Sequence, residues 1–257
     1  MSNSVSTSEL VHTYAQEINR RIQELSEEAA SGSLDDAVEI LKTALDRGGV
    51  IQAFGTGHSE AFAMELAGRA GGLIPTNRIA LRDIVLRGSR SVDALGGSSL
   101  ERDPSVVNEL FALSPIGPED VFVIASNSGV NGSIVGLALL AKEKGHRVIA
   151  VTSMEHTQRV EPKHPSGKRL CDVADVVVDN KAPFGDAVLE LSDGVKIGAV
   201  SSITAAFIAQ LLTAGTAQRI AAEGKTPPVY ISANIPGGDD HNRALENIYK
   251  DRIRRDA

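Results

Sequence analysis

The stretch that most constrains this chain is Val50-Ile51-Gln52-Ala53-Phe54-Gly55-Thr56-Gly57-His58-Ser59, a short apolar run that breaks into a Gly-containing turn. A segment of helical character follows, Ser59 to Ala70, rich in Ala, Phe, Met and Leu. Strand, glycine turn and helix start in that order form an anion-binding device. The glycines let backbone N–H groups approach a phosphate, and the helix start aims its unpaired donors at the same place. Ser59 is placed to cap the helix. The turn is not a dinucleotide fingerprint, because Glu60 stands where the third glycine is needed and would face a pyrophosphate.

The rest of the chain repeats the strand-then-helix order. Leu10–Ala30 and Leu34–Arg47 read as two amphipathic helices ahead of the first strand, Val50–Phe54. Leu73-Ile74-Pro75 reads as a second, poorer strand. The segment 77–103 reads as a long polar loop, with a helix from Pro104 to Leu113 beyond it. Asp120–Ala125 is a continuous apolar strand of the kind buried on both faces, followed by a helix over Ile134–Lys144. Further strands are expected at Arg147–Thr152 and Val173–Asp179, with a polar loop over Glu155–Arg169 and a turn-rich connection over Pro183–Gly194. A long, mostly apolar helix spans Ala199–Ala222, a short extended piece Val229–Ser232, and a polar helix 240–254 closes the chain. Alternating strands and helices imply a doubly wound parallel sheet of α/β class in one unit, 1–257, with a helical extension over 1–48. Ligands of such sheets sit beyond the carboxyl ends of the strands, where strand order reverses.

The turn after the Asp120–Ala125 strand is Ser126-Asn127-Ser128-Gly129-Val130-Asn131-Gly132-Ser133. Hydroxyls, backbone N–H groups and a helix dipole together suit a phosphate monoester. The turn lacks the lysine of a triphosphate-binding loop. Gly55, Thr56, Gly57, His58 and Ser59 of the first turn, with Ser126, Asn127, Ser128, Asn131 and Ser133 of the second, are the expected binding residues.

The paired turns, each after a strand, resemble those of the sugar isomerase (SIS) domain family, over roughly 34–224. Further residues that carry the resemblance are Arg69-Ala70-Gly71-Gly72, Lys163-His164-Pro165-Ser166-Gly167-Lys168 and Gly237-Gly238-Asp239-Asp240-His241-Asn242. The resemblance implies a five-stranded parallel sheet, a sugar-phosphate ligand, and homodimers or homotetramers with shared sites. Asn131 stands where the family's second turn usually ends in Thr, and Arg69 where phosphoheptose isomerases carry a catalytic acid.

Aldose–ketose isomerisation needs a base for the proton beside the carbonyl and an acid to open the ring. Glu65, among apolar neighbours on the helix after the first turn, is the expected base, with an ion pair to Arg69 as the competing role. His241 is the expected ring-opening acid, and His58 an alternative sugar contact. The expected function is therefore a phosphosugar isomerase, with a lyase or epimerase on an amino-sugar phosphate, or a non-catalytic phosphosugar sensor, as alternatives. No metal or cofactor is expected, because the histidines are scattered and no HxxxH or CxxC spacing occurs. A net charge of -7 argues against nucleic acid as a partner, and no apolar stretch reaches a membrane span. The lone Cys171 and the polar opening Met1–Ser8, which lacks signal-peptide character, fit a cytoplasmic protein.

Overall fold

The computed structural model describes residues 6–192 and 194–255. The unit expected over 1–257 thus begins and ends outside the described residues, as does Met1–Val5 of the polar opening. Helices α1 (Thr7–Ala30) and α2 (Asp35–Asp46) precede the sheet. Strand β1 (Ile51–Gly55) passes through a 3₁₀ turn (Gly57–Ser59) into α3 (Glu60–Leu66). Strand β2 (Thr76–Ile79) is followed by α4 (Asp83–Leu86), a 3₁₀ turn (Val92–Leu95), α5 (Ser99–Arg102) and α6 (Val106–Leu113). Strand β3 (Val121–Ala125) leads into α7 (Gly132–Glu143). Strand β4 (Arg147–Thr152) leads to the short α8 (Met154–Thr157) and α9 (Leu170–Val173). Strand β5 (Val176–Asp179) precedes a hairpin of β6 (Ala187–Ser192) and β7 (Val195–Ala199). Helices α10 (Ser201–Ala222) and α11 (Gly238–Glu246) follow.

The main sheet has five parallel strands in the order β2-β1-β3-β4-β5, as expected, so strand order reverses between β1 and β3. Alternate side chains face opposite helix layers. Ile51, Ala53, Val121, Val123 and Val151 pack with Leu41, Phe62, Leu66, Ile208 and Leu212 of α2, α3 and α10. Phe54, Phe122, Ile124 and Ala150 pack with Leu110, Ile134 and Leu137 of α6 and α7 on the other face. Helix α1 lies against α10 and the hairpin. It is fixed by the buried Arg21, which donates to Lys181 O (3.0 Å), and by Tyr14, whose hydroxyl donates to Ala199 O (2.6 Å).

Several boundaries differ from the expectations for identifiable reasons. Leu73 and Ile74 are not part of the main sheet. They pair instead with 228–230, and β2 begins only after Pro75, whose carbonyl accepts Ile51 N–H. The supposed loop 77–103 holds most of β2 and three short helical turns, each too short to show periodicity. The helix after β1 stops at Leu66, because Ala67 is extended and Gly68 takes φ +73°. The connection 183–194 contains β6, and β5 starts only at Val176. The closing helix ends at Glu246 rather than 254. After the 3₁₀ turn Asn247–Tyr249, Asp251 takes φ +66°, and Arg252 and Arg254 turn back onto the sheet edge.

At the N-terminal edge of the sheet, one fully buried carboxylate gathers four donors. Asp120 accepts from Val50 N (2.8 Å), Gln52 Nε2 (2.8 Å), Gly117 N (2.9 Å) and Arg252 Nη2 (2.6 Å). Removing it strands buried donors and an ion-pair partner together. Asp120→Ala is expected to lower unfolding free energy by about 3–5 kcal/mol, measured by urea denaturation, with Asp120→Asn losing less.

Candidate functional site

The site lies at the carboxyl ends of β1, β3, β4 and β5, on the reversal point between β1 and β3. A narrow cleft there is lined by His58, Ser59, Phe62, Ser126, Asn127, Asn180 and the first two residues of α10, Ser201 and Ser202. Larger hollows elsewhere, one at the opposite sheet edge around Arg47 and His146, and one among arginines beside β2, do not include the turns.

Each turn is shaped by close backbone approach. A Cβ on Gly55 would stand 2.2 Å from Ser59 O, so only glycine permits the chain to double back there. Gly57 takes φ +56° and Gly129 φ +64°, which L side chains rarely adopt. In the second turn, the Ser126 hydroxyl accepts Gly129 N–H (3.1 Å). Asn127 O accepts Ser153 N–H (3.2 Å), tying the turn to β4, and Asn127 Oδ1 accepts from Asn180 (3.2 Å), tying it to β5. Ser59 precedes α3 but makes no side-chain cap bond, which leaves its hydroxyl to the cleft.

The serine at the start of α10 is held by Asp186, whose carboxylate accepts Val200 N (3.1 Å), Ser201 N (2.8 Å) and Ser201 Oγ (2.7 Å). The positive end of this 22-residue helix therefore reaches the cleft. Ser153 fixes α8 by accepting His156 N–H (3.0 Å) and donates to Ala182 O (2.6 Å).

The expected residues divide into three groups. His58, Ser59, Ser126 and Asn127 line the cleft. Thr56, Asn131 and Ser133 turn to one residue that was not anticipated, Glu101 of α5. Thr56 Oγ1 (3.1 Å) and Asn131 Nδ2 (2.6 Å) both donate to Glu101 Oε1, and Ser133 Oγ donates to the Glu101 carbonyl (2.8 Å). Ser128 is half-buried, and among the described residues its hydroxyl has no hydrogen bond.

Glu65 and His241 do not line the cleft of the single chain. Glu65 pairs with Arg69 and accepts from Gln210 Nε2 (2.6 Å) of α10. His241 Nε2 lies 3.0 Å from Val229 O. Val229 pairs with Leu73, beside the start of β1, so His241 stands toward the sheet end opposite the turns. Ser201, Ser202, Asn180, Asp186 and Glu101 are the residues that sequence reading missed. The serine pair at a helix start was the one available local signal.

Residues 13–153, more than half of the chain, match the family model of the SIS domain. The chain belongs to the SIS-domain family. It is similar to a UPF0309 protein of Geobacillus sp. strain WCH70, 36% identical over 245 residues that cover 95% of this chain and 97% of that one. A UPF0309 protein of Listeria monocytogenes is 37% identical over 238 residues, covering 91% and 95% of the two chains. Among solved structures, a phosphoheptose isomerase from Francisella tularensis superposes with a TM-score of 0.55, 16% identity, over 83% of this chain and 100% of that one. One from Neisseria gonorrhoeae gives 0.51 and 20%, over 84% and 100%. These two likenesses concern the fold. Among the described residues, no helix is long and apolar enough to cross a membrane.

Two measurements check the local geometry. Gly55→Ala should distort the first turn and lower the melting temperature while leaving secondary structure intact, read by circular dichroism. Burial holds the His156 imidazole below its usual 6.5. The unfolded chain then takes that proton more readily, so this contribution to stability is full above pH 6.5 and is lost as pH falls through the lowered folded value. An NMR titration should place His156 below 6.5.

Proposed function

We propose that this chain is a phosphosugar isomerase of SIS type, acting on a sugar 6- or 7-phosphate by removing the proton beside the carbonyl. The observation that carries this reading is the convergence of Ser59, Ser126, Asn127, Ser201 and Ser202 on one cleft at the strand-order reversal. Hydroxyls and the positive end of α10 are the donors a phosphate monoester needs, and the cleft has no lysine in its lining. The dipole contributes about 0.3–1 kcal/mol, so the hydrogen bonds carry most of the affinity. The fold shared with phosphoheptose isomerases supports the same reading.

His58 is the imidazole in the cleft and the group nearest to hand for ring opening. His241 enters this reading as a group offered to a neighbouring subunit's cleft, which suits assembly as a homodimer or homotetramer. A cytoplasmic setting, where sugar phosphates are made and used, is part of the proposal.

Ser128→Ala removes a hydroxyl that makes no hydrogen bond among the described residues, so it tests ligand binding with little effect on folding. It should raise the Kd for a bound hexose 6-phosphate by about 10- to 100-fold, the equivalent of one hydrogen bond to a charged group, measured by calorimetry. For the reaction, the protein is incubated in D₂O with hexose, N-acetylhexosamine and heptulose phosphates. Deuterium entry at C1 or C2, followed by NMR, is the expected result. Binding without exchange would instead favour a sensor, and the absence of both binding and exchange would overturn the phosphate reading.

A further inference from the structure

Resting on the phosphosugar reading, we infer that Glu101 is the general base of the reaction. It stands where both turns meet, and no other carboxylate among the described residues is hydrogen-bonded to side chains of both. Its short helix α5 is clamped in place. Gly132, the first residue of α7, lies so close to Arg102 O that a Cβ there would stand 2.1 Å from it, and Ser133 Oγ holds the Glu101 carbonyl.

The carboxylate is used asymmetrically. Oε1 accepts from Thr56 of the first turn and Asn131 of the second, while Oε2 accepts no hydrogen bond among the described residues. Oε2 faces Gly57 of the first turn, 3.9 Å from where a Cβ would be. One oxygen is thus anchored and the other is left for a proton. Beside it, Asn131 Oδ1 is buried without a hydrogen-bond partner among the described residues. A buried unmet acceptor is costly, and a sugar hydroxyl supplies the donor it lacks.

A sugar whose phosphate sits on Ser126, Ser128 and Ser59 extends from the seam of the two turns, the seam that Glu101 spans. In the step, Glu101 Oε2 takes the proton from the carbon next to the carbonyl. The C–H electron pair becomes the C=C bond of an enediol, and the carbonyl π pair moves onto oxygen, which takes a proton from water. The neighbouring hydroxyl then gives a proton back to water as its O–H pair becomes the new C=O bond, and the C=C pair takes the proton held by Glu101 onto the former carbonyl carbon. Atoms and electrons balance with no oxidant or reductant. Glu65 is held by the cationic Arg69 and by Gln210, whereas the Glu101 carboxylate accepts, among the described residues, only from the neutral side chains of Thr56 and Asn131.

The test compares wild type, Glu101→Gln, Glu101→Asp and Glu65→Gln in the D₂O exchange assay, with hexose 6-phosphate binding followed in parallel by phosphorus NMR and folding by thermal melts. Glutamine can still accept from Thr56 and Asn131, so anchoring survives while the base is lost. Glu101→Gln is expected to bind within about threefold of wild type and to exchange at least about 100-fold more slowly, the usual loss for a general base. Glu101→Asp should fold, bind and retain part of the exchange, and Glu65→Gln should exchange within a few-fold of wild type. Exchange by Glu101→Gln at near wild-type rate overturns the assignment and leaves the phosphosugar reading standing. Loss of binding and exchange together in both Glu101 variants makes Glu101 an anchor of the turns and also overturns it. A wild type that binds but never exchanges rejects any base, Glu101 included. A wild type that neither binds nor exchanges rejects the phosphosugar reading itself, and the inference with it.

Discussion

A parallel sheet covered by helices on both faces leaves its polar chemistry nowhere to go but the strand ends. That constraint governs this molecule. Both faces of β1 and β3 are filled by Ile51, Ala53, Phe54, Val121, Phe122, Val123 and Ile124, all buried. At the N-terminal edge Asp120 gathers the start of β1, the loop before β3 and Arg252 into one network. At the carboxyl edge the turns leave donors unspent, and these donors make the site. A carboxylate holds elements together at each end. Asp120 is fully enclosed and structural, whereas Glu101 keeps one oxygen without a partner among the described residues.

The second consequence concerns how the cleft is walled. Its far side is formed by the start of α10, which lies some 140 residues along the chain from the first turn and is brought there by the layer that α10 forms with α2 and α3. Asp186 fixes that start, and α1 braces the same loop through Arg21 and Lys181. The N-terminal helices are thus part of what holds the cleft wall, rather than a separate appendage.

Much of this was legible in the residues, and the exceptions have physical causes. Apolar runs bounded by glycine located β1, β3 and β4 to within a residue, because strands buried on both faces must be apolar throughout. The two turns were legible because glycine, serine and asparagine have few other reasons to crowd a strand end. β6 and β7 were missed although Asp193-Gly194 lies between them as a hairpin signal, since several of their apolar side chains are exposed and the pattern gives no buried face. β2 was misplaced because Leu73 and Ile74 are as apolar as a strand but pair outside the main sheet. Glu101 was unreadable: it sits in a four-residue helix without periodicity, and its partners Thr56 and Asn131 are 45 and 30 residues away. Long-range convergence of this kind is a property of the fold and leaves no local pattern.

The most direct test of the central claim, that the seam of the two turns is a phosphosugar site, is a crystal structure of the protein with a hexose 6-phosphate. The phosphate is expected on Ser59, Ser126 and Ser128, near the start of α10, with the sugar carbons passing toward Glu101 and a hydroxyl donating to Asn131 Oδ1. A phosphate bound instead in the arginine-lined hollow beside β2, with the cleft between the turns empty, would contradict it.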